Sequence, residues 1–250
     1  MYFASDSRIT WRSSGGVWDF GRKLFASEIT ADIFGYCGEV LFPSLVLGQV
    51  QSLLAGGLFK RDADARSRHE GIRDVIKRSF SFFPNEARKE FTILHAARDG
   101  SQMRSAFHLW RLDWSSDAEW GEVEITLAEE SALVLAVGSG ARVTTDWNDE
   151  WCRRLGRTSR SVFGSFCDAL DSGSDANTGG APQLVGLYRV GYGRTFGIVH
   201  KEQRFIHGLP LDRCPDADSL EWRNTLFERC DCNTMHRSLN AQPQPHPGPL

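Results

Sequence analysis

The stretch Ala4-Ser5-Asp6-Ser7-Arg8 decides how the fold is predicted, because it places an acidic and a basic residue two positions apart directly after a short β-patterned segment. That segment, residues 2–5, predicts a strand. Taken alone, such a charged pair is more often a surface ion pair than a functional site. Its significance therefore depends on which other motifs follow it along the chain.

Four further motifs follow in order. They are Gly21-Arg22-Lys23-Leu24-Phe25, Gly35-Tyr36-Cys37-Gly38, Val137-Gly138-Ser139-Gly140, and Asp175-Ala176-Asn177-Thr178-Gly179-Gly180. Each motif alone is weak: a lysine is usually solvated, and a Gly-Ser-Gly turn often simply opens a helix. The five motifs all lie on or next to predicted strands and helix starts, so their joint occurrence is less expected by chance than any one of them.

Hydrophobic periodicity predicts the secondary structure of most of the remaining chain. Apolar residues recur at helical spacing in four segments, which predicts helices near 41–55, 68–83, 141–156 and 160–171. Strands are predicted at 2–5, 31–36, 91–97, 106–112, 123–127, 132–137, 183–190, 195–199 and 204–207. Because strands and helices come in groups rather than in regular alternation, the pattern predicts an α+β fold with mainly antiparallel sheets covered by helices.

Read together, the five motifs resemble the proteasome-type branch of the N-terminal nucleophile (Ntn) hydrolases, which includes proteasome β subunits and their bacterial relatives. Their order and spacing match from residue 1 to about residue 208, more than four-fifths of the chain. The resemblance implies a four-layer αββα sandwich, with two mainly antiparallel sheets between helix layers. It also implies a threonine-type peptidase or other amide-bond hydrolase that self-associates into a ring.

The resemblance implies roles for residues of the first three motifs. Asp6 matches the acidic residue that pairs with an active-site lysine, and Arg8 matches the arginine two positions later. Lys23 matches the lysine itself, whose charge lowers the pKa of a neighbouring α-amino group so that this amine acts as the general base. Gly38 matches the glycine whose backbone N–H faces the developing oxyanion.

The last two motifs supply the residues that, by the same resemblance, hold the free N-terminus. Ser139 matches the serine of the Gly-Ser-Gly turn, and Asp175 matches the aspartate of a D-x-x-S-G-G motif. Thr178 stands where that motif usually has serine, a change that keeps the hydroxyl. These seven residues, from Asp6 to Thr178, form the predicted catalytic site.

The nucleophile of such a site is a Thr, Ser or Cys at the mature N-terminus, which the resemblance places about ten positions upstream of Met1. Ser5, Ser7 and Thr10 are out of register with the other motifs. Two explanations stay open: Met1 is an internal methionine of a longer chain, or the chain is an inactive relative that serves as a scaffold subunit. The joint presence of the other site residues favours the first. The chain as given is predicted to be inactive.

Composition excludes several other classes of function. The formal charge of -3, from 29 Lys+Arg and 32 Asp+Glu, gives no basic excess for nucleic acid or anionic lipid. The longest apolar run, residues 132–137, is too short to span a bilayer, and the first eleven residues do not form a signal peptide. Six dispersed cysteines predict reduced thiols in the cytoplasm. No cofactor or metal is expected, and any ATPase partner is unknown.

The chain is predicted to contain one Ntn-hydrolase domain over residues 1–211, followed by a polar extension over residues 212–250. The extension ends in AQPQPHPGPL, whose four prolines predict a disordered tail. Cys214, Cys230, Cys232 and His236 are spaced unlike structural zinc ligands and are interpreted as ordinary residues. Charged or serine-rich stretches near 58–69 and 114–121 predict surface loops.

Overall fold

The structure is a computed structural model that describes residues 1–11, 15–59, 63–215 and 220–248. The chain forms two compact units. The first unit comprises Met1–Phe3, Lys23–Leu127 and Val185–Arg194, and the second comprises Ala4–Arg22, Ala128–Leu184 and Thr195–Leu250. Of the helices within the described residues, none is long and apolar enough to cross a bilayer.

The four predicted helices are confirmed, each within a few residues of its expected bounds: α1 (Leu41–Ala55), α2 (Ala65–Ser81), α3 (Ala141–Leu155) and α4 (Ser159–Asp171). The largest difference is at α2, which begins three residues before the predicted start. The Asp64 side chain caps this helix by accepting a hydrogen bond from the Ser67 backbone N–H at 2.8 Å. A polar cap fixed this boundary, which the apolar periodicity could not define.

The described residues also form fourteen strands: β1 (Tyr2–Ser5), β2 (Ile9–Trp11), β3 (Gly16–Trp18), β4 (Leu24–Ala26), β5 (Asp32–Gly38), β6 (Phe91–Asp99), β7 (Ala106–Ser115), β8 (Glu119–Glu124), β9 (Gln183–Leu187), β10 (Gly193–His200), β11 (Gln203–Ile206), β12 (Leu209–Leu211), β13 (Glu221–Asn224) and β14 (Arg229–Cys230). One sheet has the order β4-β5-β6-β7-β8, and every pair in it is antiparallel. A seven-stranded sheet has the order β1-β9-β10-β11-β12, with β13 paired to β10 and β14 to β13. Strands β2 and β3 form a separate hairpin.

The core of the first unit lies on both faces of the five-stranded sheet. On one face, α1 and α2 bury apolar side chains against the sheet, among them Leu47, Val50 and Ile76. On the other face, Ile33 and Ala96 pack with residues of β1 and β9 that belong to the same unit. This sheet is therefore covered on both sides, as expected for an inner layer. The predicted mixed fold of antiparallel sheets and helices is confirmed at this level, and the complete four-layer arrangement stays a prediction.

Two sequence predictions of strands and loops were wrong. Residues 132–137 all belong to the described chain, and they form neither helix nor strand; their side chains are partly buried or exposed rather than buried. An apolar run becomes a strand only where a neighbouring edge can pair with it, which the run itself does not encode. The stretch 114–121, expected as a loop, instead completes the β7–β8 hairpin, in which Trp114 pairs with Trp120.

The stretch 58–69, also expected as a surface loop, is only partly one. Residues 60–62 lie outside the described residues, but residues 65–69 form the first turns of α2. Arg68 and His69 are both buried there. Their polarity predicted exposure, whereas the structure gives them buried partners, described below.

The polar extension also differs from its prediction. Strand β13 pairs in parallel with β10, so residues beyond 211 add to the larger sheet. Cys214 and Cys232 form a disulfide, so the prediction that all six cysteines are reduced thiols was wrong for this pair. The four remaining cysteines are free. Residues 241–248, predicted as a disordered tail, contact α3 and α4 within the second unit.

Candidate functional site

The carboxylate of Asp175, in the second unit, accepts hydrogen bonds from neighbouring residues. It accepts a bond from the Thr178 hydroxyl at 2.5 Å and one from the Asn177 backbone N–H at 3.1 Å, both within its own loop. Ser139, distant in sequence, lies near enough for its side chain to contribute to lowering the pKa of this carboxylate. Burial alone would raise the pKa of Asp175, but these hydrogen bonds outweigh burial and lower it.

Glycines bring the Ser139 turn to this carboxylate. Gly138 has a φ of +89°, in the left-handed region that favours glycine. Gly140 precedes α3, and a Cβ at this position would lie 2.9 Å from the Thr178 Oγ1 and 3.6 Å from the Asp175 Oδ2. The Gly-Ser-Gly turn therefore has two physical requirements for glycine, one for the backbone conformation and one for the close approach to the Asp175 loop.

Asp6 lies against the other end of the same loop. Its Oδ2 accepts hydrogen bonds from the backbone N–H of Arg8 at 3.0 Å and of Gly179 at 3.2 Å. The Ser7 N–H donates to the Gly179 carbonyl at 3.0 Å, so the chain around residue 7 is bonded to this loop through both backbone and side chain. The Gln183 side-chain amide, which is buried, donates to the Asp6 carbonyl at 3.1 Å. Asp6 is thus fixed by the backbone around it.

Arg8 connects this loop to an acidic residue that the sequence analysis did not select. Its guanidinium binds both carboxylate oxygens of Asp19, at 2.7 and 3.0 Å, and donates to the Ala176 carbonyl at 3.2 Å. The hydrogen bond to Asp19 raises the pKa of Arg8. A Cβ on Gly179 would lie 2.3 Å from the guanidinium carbon, so this glycine gives the arginine its space.

The serine hydroxyls near Asp6 donate hydrogen bonds to backbone carbonyls of the protein. Ser7 is completely buried, and its Oγ lies 2.8 Å from the carbonyl oxygens of both Asp19 and Ala181. Ser5 donates to the Asp6 carbonyl at 3.1 Å.

Lys23 and Gly38 belong to the first unit, where they lie at the same end of the β4–β5 pair. The Lys23 carbonyl accepts a hydrogen bond from the Tyr36 N–H at 3.3 Å, two residues before Gly38. Burial raises the pKa of the intervening Cys37 thiol, and a hydrogen bond with Thr92 and the charge of Lys23 act in the opposite direction. The charge of Lys23 therefore acts on the Cys37 side chain, one residue before Gly38.

Gly38 has a backbone that only glycine adopts easily. Its φ is +88°, and a Cβ would lie 2.7 Å from the Glu90 carbonyl oxygen and 3.0 Å from the Phe91 Cα. Both neighbours are backbone atoms, so they cannot move aside as a flexible side chain could. A residue without Cβ is required here for a structural reason, which is independent of any role in catalysis.

The structure thus brings together five of the seven predicted residues within the second unit: Asp6, Arg8, Ser139, Asp175 and Thr178. Lys23 and Gly38 are neighbours within the first unit. The ion pair between Asp6 and Lys23 stays a prediction. Sequence reasoning missed Asp19 and Gln183, which have no motif of their own and were recognisable only by their contacts. Among the described residues, no group of three His, Cys, Asp or Glu side chains could hold a metal ion.

Comparison with known proteins finds similarity only to solved structures. No family model matches the chain, and no curated protein matches it. Anbu from Hyphomicrobium sp. strain MC1 is similar with a TM-score of 0.45 and 11% sequence identity, over 75% of this chain and 77% of that chain. Its Gly-1 mutant gives a TM-score of 0.45 and 12% identity, over 75% and 76% of the two chains. Anbu from Yersinia bercovieri, described as an ancestral beta-subunit, gives 0.42 and 14%, over 73% and 75%.

Proposed function

We propose that this chain is a proteasome β-subunit-like Ntn hydrolase, a threonine-type peptidase or related amidohydrolase that acts through an N-terminal nucleophile. The observation that carries the proposal is the approach of the Gly-Ser-Gly turn to the Asp175 carboxylate, which already binds the Thr178 hydroxyl. Ser139 reaches it from a separate segment, and Thr178 reaches it from the same loop. A local turn alone would explain Thr178 and Asn177, but it would not recruit Ser139.

A hydroxyl beside Asp175 can accept a hydrogen bond from an amine ligand. A hydroxyl has one proton and two acceptor lone pairs. Because the Thr178 hydroxyl donates its proton to Asp175, its oxygen keeps lone pairs that can accept a further hydrogen bond. Such oxygens accept hydrogen bonds from an N–H group, and the negative charge of Asp175 favours a positively polarised one. A free α-amino group is a ligand of this kind.

In the proposed reaction, the α-amine takes the proton of its own side-chain hydroxyl or thiol as that atom attacks the carbonyl carbon of an amide. Lys23 keeps the amine neutral by its charge, and the Gly38 N–H donates to the developing oxyanion. The amine then returns the proton to the leaving nitrogen, and the C–N bond breaks. Water hydrolyses the resulting ester or thioester and regenerates the site.

The test compares matched versions of the chain on fluorogenic peptides. One version is extended upstream so that processing frees a Thr at the N-terminus in register with Asp6 and Lys23; a second carries Ala at that position. We expect turnover only with Thr, and we expect Lys23→Ala in the Thr version to abolish it. Equal turnover by the Ala version, or a Thr version indifferent to Lys23→Ala, would contradict the mechanism.

A non-catalytic scaffold subunit is the alternative, and it shares one expectation with the enzyme. Leu41 and Leu45 on α1 are 52% and 58% exposed, an apolar helix surface that self-association would cover. Light scattering at micromolar concentration should therefore show a homo-oligomer, which Leu45→Lys should weaken. An oligomer without turnover in any extended version identifies the scaffold, and a stable monomer contradicts the ring.

A further inference from the structure

The described part of the proline-rich C-terminus, residues 241–248, lies on the second unit as an extended segment outside any helix or strand. Its contacts come from α3, α4 and the turn between β13 and β14. They involve Gln242, Gln244, His246 and Pro247. Pro243 and Pro245, between them, are exposed. The segment is therefore bound at successive positions along its length rather than at one anchor.

The most buried contact is made by a carboxylate. Glu228 is 9% exposed, and its two oxygens have different partners. The Oε2 accepts a hydrogen bond from the Asn224 side-chain amide at 2.7 Å, and the Oε1 accepts one from the Gln244 backbone N–H at 2.7 Å. A buried carboxylate is costly without donors, so the peptide segment supplies a hydrogen bond that this group needs.

The second contact holds His246. Trp151, which is 2% exposed, donates its indole N–H to the Asp168 Oδ2 at 2.9 Å. The same carboxylate lies 3.2 Å from the His246 Nε2, and the imidazole meets the Trp151 ring edge-on with centroids 5.4 Å apart. An oriented carboxylate beside an aromatic ring recognises an imidazole by hydrogen bonding and by ring contact together.

Two arginines complete the site. Arg154 is held by Glu150 at 2.5 Å and donates to the Pro247 carbonyl at 2.9 Å. Arg160 donates to the Gln242 side chain at 3.3 Å. The arginine of α3 therefore binds one end of the segment and the arginine of α4 binds the other.

We propose that α3, α4 and the β13–β14 turn form a binding site for an extended proline-rich peptide, which residues 242–248 of this chain occupy in cis. The exposed prolines act through conformation: each fixes φ near the extended region and lowers the entropy lost on binding. Recognition comes from the residues between them, through a backbone N–H, an imidazole and a carbonyl. The site binds a peptide of the same sequence in trans when the chain's own segment is displaced.

The test uses full-length chains and a fluorescent peptide of residues 240–250. One chain is unaltered. A second carries Gln244→Pro, which removes the N–H that Glu228 binds, together with His246→Ala. The matched control carries Leu239→Ala, because Leu239 is completely exposed directly before the segment. None of the substituted residues lies in a helix or a strand, and circular dichroism of each chain checks that binding is measured on folded protein.

We expect the peptide to bind the Gln244→Pro/His246→Ala chain at least about tenfold more tightly than the unaltered chain or the control, because the loss of two hydrogen bonds vacates the site. A peptide that carries the same two changes should bind the double variant at least about tenfold more weakly than the normal peptide. Equal affinity for all three chains, or equal affinity of the two peptides, would overturn the proposal.

Discussion

Asp32 and Asp175 both have a lowered pKa, but they differ in what lowers it and in how far they are buried. Asp32, on β5, is completely buried and binds two cationic or imidazole partners: Arg68 at 3.1 Å and His95 at 3.0 Å. Burial alone would raise its pKa, but the hydrogen bond and charge of His95 and the charge of Arg68 lower it. Asp175 remains partly exposed and is bound by neutral hydroxyls and a backbone amide.

The network around Asp32 continues through a pair of histidines. The Nδ1 atoms of His69 and His95 lie 2.9 Å apart, and the His69 Nε2 lies 3.3 Å from Glu122. Burial and the charge of His95 lower the pKa of His69 to about 3, so His69 is neutral. Because the Glu122 carboxylate can only accept, the His69 Nε2 carries the proton and its Nδ1 accepts. The side chains of Asp32, His69 and His95 bind one another or neighbouring side chains, whereas the Thr178 hydroxyl oxygen keeps acceptor capacity for a ligand. Burial with charged partners therefore marks a structural network, and partial exposure with oriented hydroxyls marks the candidate site.

The largest expected effect is a difference in unfolding free energy between variants of Asp32 and Asp175. Asp32→Asn should lower the free energy of unfolding by about 3–5 kcal/mol, because it leaves Arg68 buried without its counter-charge. Asp175→Asn should cost no more than about 1.5 kcal/mol, since only hydrogen bonds of a partly exposed group are weakened. Urea unfolding followed by circular dichroism measures both. Similar losses for the two variants would remove the distinction.

The second prediction concerns the loss of stability at acidic pH. His69 and His207 are neutral in the folded protein, because burial is the main cause that lowers the pKa of each to about 3. The unfolded chain binds protons at these groups below about pH 6.5, so stability is complete above that pH and falls as the pH decreases toward 3. Each histidine should cost up to about 1.4 kcal/mol per pH unit.

The lowered carboxylate pKa values act later, because their contribution is present above the unfolded value of about 3.9 and is lost only as the pH falls further. Unfolding free energy measured from pH 7.5 to 4.5 should therefore decline, and His69→Gln should flatten the decline. Asp175→Asn, the matched control, should leave the slope unchanged. A slope that is the same with His69→Gln contradicts the assignment of His69 as neutral.

A smaller effect is expected where the Gly-Ser-Gly turn meets the Asp175 loop. Gly140→Ala places a Cβ 2.9 Å from the Thr178 hydroxyl oxygen. That oxygen ends a side chain that can rotate, so the loss of stability should be only about 1 kcal/mol. Gly48→Ala in α1 is the control: nothing lies within 4 Å of its Cβ position, and alanine should stabilise the helix by about 0.5–1 kcal/mol. Thermal melting should show a lower Tm for Gly140→Ala and a higher Tm for Gly48→Ala.

The smallest expected effect tests the hydroxyl itself. Thr178→Ser keeps the donor to Asp175 and should change the free energy of unfolding by less than about 0.5 kcal/mol. Thr178→Val keeps the shape and loses the hydrogen bond, which should cost about 0.5–1.5 kcal/mol. If serine and valine behave alike in urea unfolding, the Thr178 hydroxyl contributes nothing to the loop.

The sequence by itself determined the features that depend on short-range patterns. The four helices follow from apolar residues that recur every three or four positions, and they appear close to their predicted bounds. The glycine at position 138 was also readable, since a φ of +89° is a local backbone conformation that favours glycine. The contact of Ser139 with Asp175 was implied only by a resemblance, not by the pattern.

Tertiary structure alone decided the features that depend on a distant partner. The apolar run 132–137 does not form a strand, while polar Arg68 and His69 are buried because Asp32 and His95 satisfy them. Asp19 became the partner of Arg8, and Cys214 joined Cys232, with no signal in their spacing. A helix is defined by bonds four residues apart, which the sequence contains directly. A strand partner, a buried ion pair and a disulfide join residues at arbitrary separations, so only the folded chain specifies them.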